Sequence, residues 1–258
     1  MTPSALEACF RELEWAPSTR RRAVVAVREW LAPLYPPNRS PADLIDLPKL
    51  VEHPVPRLSQ SEAATVVERA AGRIDSEPGV VTRALALRNH ALVEVLYGSG
   101  LRRQEACDLT LAGVDFEHEM LRVVGKGGKA RTVPLTEPSV DALRAWLAEG
   151  RPRLARGRLE AAGRARVFVS RSGEPLDGST IYRVVAAQLR RAGRAGGPHL
   201  LRHATATHLL EGPGGQDGAH LRVVQEVLGH GSLATTQRYT GVTTRAMQQA
   251  LKRGHPRG

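Results

Sequence analysis

The chain has 258 residues, room for one large domain or for a full domain beside a smaller one. Hydrophobic residues make up 41%, enough for a packed core, and no stretch is long and apolar enough to span a bilayer. The N-terminus MTPSALEACFRELEW lacks the apolar centre of a signal peptide, so a cytoplasmic chain is expected. Two cysteines, Cys9 and Cys107, leave no basis for a disulfide framework or a cysteine-based zinc site, and Cys107 reads as a small core residue. A formal charge of +11 points to a polyanionic partner, although an arginine-rich solvated surface would give the same figure. Aromatic residues at 4% argue against broad stacking on single strands.

Two helical stretches open the chain, roughly 4–14 and 18–34. The second carries Val24, Val27, Trp30, Leu31 and Leu34 at helical spacing behind three arginines, Arg20 to Arg22. That pattern suits a small module lying on DNA and suits an ordinary surface helix equally. The proline-rich span beginning at Pro36 reads as extended chain. The organisation expected is a partial helical unit over 1–47, a linker over 48–57 and a larger domain over 58–258.

That larger domain begins at a capping box, Ser59 with Glu62, and Gly72 is a plausible stop for the helix it starts. Residues 80–97 form a strongly apolar helix that should be buried; it breaks at YGSG, and RRQEACDL resumes helix. MLRVV and ARTVPL are short β-like runs on either side of GKGGKA, which predicts a hairpin, and VFVS predicts another short strand. Further helices are expected near 137–148, 178–191, 198–211, 220–228, 232–238 and 243–252. The span 150–166 reads as a basic loop or a frayed helix end. The fold class is therefore mainly α with a small β-hairpin or sheet, in the α+β class.

The basic residues are unevenly divided: thirty-three arginines and only four lysines, two of them in the turn GKGGKA. Lysine can give up a proton when its surroundings lower its pKa and arginine effectively cannot, which makes the turn a candidate for proton transfer. Glycine turns also tolerate lysine for no functional reason. Arg102 in GSGLRRQE starts a helix after a glycine break, a position that favours an anion. Glu105, one turn on, is placed to hold its guanidinium. His199 and Arg202 share one face of a helix opened by Pro198. His203 follows as a possible ligand, but a histidine among Ala, Thr and Leu is more often a hydrogen-bonded structural residue. His230 sits at a helix end in LGHGS, and Tyr239 closes SLATTQRYT. Taken singly, each reads more simply as a surface arginine, a cap or a packing residue.

Their order carries more. G-L-R-x-x-E, a hairpin GKG, H-x-L-R-H-x-x-A-T, and L-G-H followed nine residues later by Y-T resemble the tyrosine recombinase/integrase family, in particular the bacterial Xer-type recombinases. The motifs are GLRRQEACDLT, VVGKGGKARTVPL, PHLLRHATATHLLEG, LRVVQEVLGHGSLATTQRYT and the tail HPRG, across residue 18 to the end. The resemblance implies a tyrosine recombinase catalytic domain behind a shortened DNA-binding domain, acting on duplex DNA at a specific target. It carries Arg102, Lys126, His199, Arg202 and His230 onto the family's catalytic set, Tyr239 onto its nucleophile and Glu105 onto a supporting acidic position. Arginine forks would offset charge on the phosphate and supply what a metal would otherwise bring, so no cofactor and no metal is implied. The family's C-terminal helix packs into a neighbouring protomer, which implies a homo- or hetero-tetramer on DNA through TTRAMQQALK. That helix folded back on its own domain is the competing arrangement. A relaxing topoisomerase and a non-catalytic DNA-binding remnant share parts of this pattern. Two departures stand out: residues 1–47 supply about half of the family's N-terminal clamp, and EGPGGQDGAHLRVV lengthens the loop ahead of His230.

Overall fold

The computed structural model describes residues 2–49, 56–125, 128–154, 165–215, 218–229 and 244–257. The chain divides into two compact units, Met1–Val55 and Pro56–Gly258.

In the first unit, helix α1 (Pro3–Glu12) is capped by Thr2, whose hydroxyl accepts from Ala5 N, and α2 (Pro17–Leu31) follows. The helix expected to reach residue 34 tightens into a 3-10 turn at Ala32–Leu34, where Pro33 removes a backbone donor. The span read as extended chain departs further. Ser40 and Asp43 cap a 3-10 turn over Pro41–Leu44, which buries Ala42, and Ile45 just beyond is buried too; both lie against Leu6, Phe10, Val24 and Leu31. Arg28 donates to the carbonyls of Ala42 at 3.0 Å and Ile45 at 2.7 Å, locking that turn beneath α2. Proline content signalled a lack of regular structure, but two apolar side chains and one arginine give the segment a core.

In the second unit, α3 (Gln60–Ser76) begins at the Ser59/Glu62 capping box, with Ser59 N donating to Glu62 Oε2 at 2.8 Å. Gly72 does not stop it. Space is open around that glycine, and the helix runs on until Pro78 ends it. The apolar helix α4 (Val80–Gly98) is the centre of the core: Ala91, Leu92, Val95 and Leu96 are fully buried. A short α5 (Arg103–Asp108) leads into β1 (Val114–Asp115), β2 (Met120–Val124) and β3 (Ala130–Pro134). They form one antiparallel sheet in the order β1-β2-β3, with Val124 opposite Ala130 and Met120 opposite Pro134. The expected hairpin is therefore present with a short third strand beside it.

Helix α6 (Glu137–Ala145) continues through a π-turn, Trp146–Gly150, into α7 (Arg151–Leu154). That helical continuation occupies the start of the span read as a basic loop or a frayed helix end; 155–164 lies outside the described residues. VFVS makes only isolated bridges, Val169 with Pro175 and, just before it, Arg166 with Thr110. Its apolar side chains pack beneath Trp146, whose Nε1 donates to Val167 O at 3.0 Å, and among the described residues no neighbouring strand extends a ladder. Then come α8 (Gly178–Arg191), α9 (Pro198–Glu211), α10 (Leu221–Leu228) and α11 (Thr244–Gly254). The helix expected over 232–238 lies outside the described residues. No helix among those described is long and apolar enough to cross a membrane.

Candidate active site

The residues singled out around YGSG and PHLLRH meet at one place. Gly100 adopts φ +60°, a conformation that only glycine takes without strain, and this turns the chain from α4 into α5. A Cβ there would stand 2.6 Å from Leu228 Cδ2, so the glycine also lets the end of α10 close over the turn. Arg102, at the start of α5, donates from its backbone N to Glu105 Oε2 at 2.8 Å and from Nη1 to Oε1 at 2.9 Å. The predicted i,i+3 contact is thus a two-point attachment. From α9, Arg202 sends one donor to Gly100 O and Nη2 to Leu228 O at 2.6 Å. Arg102 Nη2 reaches Gly229 O at 2.6 Å.

The electrostatics follow from those contacts. Glu105 is 2% exposed and faces two guanidinium groups, those of Arg102 and Arg131. Burial pushes its pKa up, but the hydrogen bonds from Arg131 and Arg102 outweigh burial and hold the carboxyl below the usual range. Burial pushes Arg202 down to about 10, with the nearby charge of Arg102 acting in the same direction, and it stays cationic at neutral pH. Three guanidinium groups therefore share one carboxylate and the carbonyl end of α10, where the helix dipole is negative.

His199 and His203 lie one turn apart on α9 with ring centroids 4.7 Å apart, edge to face. His199 is lowered from its ordinary pKa by partial desolvation at the cleft wall and then by His203 and Arg202, which favours the neutral imidazole. Both rings are exposed, so the structural role expected of a histidine here belongs instead to His208. That residue is buried, with Nδ1 paired to Tyr97 Oη at 2.9 Å and Nε2 to Leu58 O at 2.8 Å. A cleft of about 480 Å³ opens in front of this group, lined by Arg102, Arg103, Tyr182, His199 and Arg202 among others. Among the described residues no group of three or more His, Cys, Asp or Glu is arranged to hold a metal ion.

Lys126, His230 and Tyr239 lie outside the described residues. Their neighbours are described. The hairpin brings Gly125 and Gly128 to the β2–β3 turn, and α10 ends at Gly229 in the left-handed region, φ +64°. The lengthened loop is pinned: Gln60 donates to Gly212 O at 2.7 Å and accepts from Gly214 N at 3.1 Å. Helix α11 lies on its own unit, burying Met247 and Leu251, with Lys252 paired to Glu119 at 3.1 Å. Beyond it His255 is buried against Tyr97, with ring centroids 4.6 Å apart, and Arg257 pairs with the buried Glu94.

Sequence reasoning missed Arg131. Its signal was available: on β3 it shares the inward face with Val133, where a period-two strand calls for an apolar residue. The partners that accommodate it are 26 and 97 residues away and cannot be read locally.

Comparison with known proteins gives a consistent result. The sequence model described as "Phage integrase family" matches residues 56–245. A tyrosine recombinase XerC from Mycobacterium sp. (strain KMS) is 41% identical over 220 residues, covering 84% of this chain and 68% of that protein. A tyrosine recombinase XerD from Mycobacterium tuberculosis (strain CDC 1551 / Oshkosh) is 41% identical over 221 residues, 83% of this chain and 67% of its own length. The crystal structure of XerA recombinase superimposes with a TM-score of 0.56 at 28% identity, over 98% of this chain and 83% of that one. XerH recombinase bound to a palindromic difH substrate shares the fold, with a TM-score of 0.69 at 22% identity over 97% of this chain and 71% of that one.

Proposed function

The chain belongs to the phage integrase family of tyrosine recombinases, enzymes that cleave and rejoin DNA through a tyrosine intermediate, and on that premise we propose that it performs site-specific recombination of duplex DNA with Tyr239 as nucleophile. The observation that carries the residue assignments is the buried Glu105, which holds Arg102 beside Arg202 at the edge of a cleft that also contains His199.

In this reading Arg102 and Arg202 present donors to the nonbridging oxygens of the scissile phosphate and offset the charge of the pentavalent transition state. Tyr239 Oη forms a bond to phosphorus as the bond to the 5′ oxygen breaks, leaving a 3′-phosphotyrosyl link. The phosphoester energy is kept in that link, and a 5′ hydroxyl from another strand reverses the step. Bringing an unperturbed tyrosine to phenolate at pH 7 costs about 4 kcal/mol. A neutral His199 beside two cations lowers that cost as general base; the depression of its pKa keeps it unprotonated at neutral pH while making it the weaker base. Lys126 protonates the departing 5′ oxygen, and His230 hydrogen-bonds the phosphate.

The finer organisation belongs to the same proposal. The domains are a DNA-gripping helical unit over 1–47, a linker over 48–57 and the catalytic domain over 58–258. The assembly is a tetramer of like or paired chains, in which the C-terminal helix would leave the unit it packs on here and join a neighbour, at work on the nucleoid in the cytoplasm. The task is chromosome or plasmid dimer resolution or mobile-element integration.

The test is covalent capture. Nicked duplex fragments drawn from the genome that encodes the chain are incubated with the protein, and protein–DNA adducts are recovered and sequenced. An adduct that Tyr239→Phe abolishes is expected, and the attached sequence identifies the target. An adduct that survives Tyr239→Phe would remove the nucleophile from this account.

A further inference from the structure

A single side chain ties the β2–β3 hairpin to the rest of the site. Arg131 stands opposite Val123 near the turn end of the hairpin, five residues after Lys126. Its guanidinium donates to both oxygens of Glu105, from Nη2 to Oε2 at 3.0 Å, and also to Leu228 O at 3.3 Å. The backbone of Gly229 lies against it, close enough that a Cβ there would stand 2.6 Å from Nε. One group thus touches the carboxylate that holds Arg102, the carbonyl that accepts from Arg202, and the residue that precedes His230. Its side chain is 18% exposed, both terminal nitrogens donate to protein acceptors and Nε is buried without a partner among the described residues, so the contacts it makes are with the protein frame.

We propose that Arg131 is a positioning residue for strand cleavage: it fixes the hairpin turn that carries Lys126, and the end of α10 that leads to His230, in register with Arg102 and Arg202. This rests on the recombinase reading above. The planar fork is what the task needs, because one rigid cation must meet a carboxylate and a carbonyl together. A lysine ammonium on a flexible stem keeps the charge and loses the fixed geometry.

The test uses the full-length protein and the nicked duplex recovered by covalent capture. Arg131→Lys is expected to slow single-turnover cleavage at saturating protein by about 100-fold, the scale of a misplacement near 1 Å, while duplex affinity is unchanged. A second substrate carries sulfur in place of the 5′ bridging oxygen. Its thiolate leaves without a proton, so it no longer depends on where Lys126 stands, and it should recover much of the lost rate in Arg131→Lys. In a Glu105→Gln background the same change should cost far less than it does alone, because both act through one carboxylate. Wild-type cleavage rates in Arg131→Lys would overturn the proposal. So would an equal loss on both substrates accompanied by a lowered melting temperature, which would make Arg131 a stabilising ion pair and nothing more. If the unaltered protein forms no adduct on any duplex, the recombinase reading fails and this proposal with it; an adduct from the unaltered protein keeps the two outcomes separate.

Discussion

Replacing Glu105 by glutamine keeps the shape of the side chain and removes its charge. The carboxylate is 2% exposed and accepts from Arg102 N, Arg102 Nη1 and two nitrogens of Arg131. A carboxamide has one oxygen for these donors and turns its own NH2 towards the others. Removing one partner of a buried ion pair costs about 3–5 kcal/mol, and we take the lower end because one acceptor remains. For a unit the size of Pro56–Gly258, about 3 kcal/mol corresponds to a melting temperature lower by roughly 6–12 °C. The pH dependence provides a second check. Because the folded pKa of Glu105 is depressed, its contribution is full above the ordinary carboxylate range and is lost as pH falls through the folded value. Thermal or urea unfolding of wild type and Glu105→Gln at neutral pH and in acid should give a wide gap that narrows below about pH 4. A variant melting within about 2 °C of wild type at pH 7, or a gap that acid leaves unchanged, would refute the reasoning.

Tyr97→Phe leaves His208 Nδ1 without its 2.9 Å partner in the core, and a chemical-denaturation series should show a loss of about 1–3 kcal/mol. Burial lowers His255 to about 3 from its ordinary 6.5, so the unfolded chain binds this proton first and stability falls as pH drops below 6.5. His255→Leu should make stability between pH 6 and pH 4 less steep by about 1.4 kcal/mol per pH unit, and identical slopes would show that the ring is protonated in the folded state. Duplex binding should weaken by about 10³-fold between 50 and 200 mM salt if six phosphates are contacted, as a fluorescence anisotropy titration would measure.

Much of this arrangement was legible in the sequence, and what escaped has physical reasons. Helix α4 was plain because its sequence is strongly apolar, and the helix expected over 178–191 is present, with Asp177 as its cap. Gly72 misled because glycine stops a helix only where a left-handed turn or a tertiary contact calls for it, and the space around it is open. VFVS has strand composition, but a strand needs a partner, and its backbone makes one isolated bridge, at Val169. Within the site, Arg102, Glu105, His199 and Arg202 were readable as spacings on single helices, and the fold brings them to one cleft. Arg131 was not, because what commits it is a carboxylate on another element and a carbonyl at the end of a distant helix.

The pairing of Glu94 with Arg257 has a consequence for how the molecule comes to be made. The two residues are 163 positions apart, and Glu94 is fully buried in the helix at the centre of the core. At translation rates of about 5–20 residues per second, roughly 8–30 s separate their appearance. During that interval the described side chain paired with Glu94 is His90, one turn back at 3.5 Å and charged only when protonated, so the buried carboxylate is held less firmly than in the finished domain. A chain cut short of Arg257 would therefore keep a central helix whose buried carboxylate lacks its guanidinium partner.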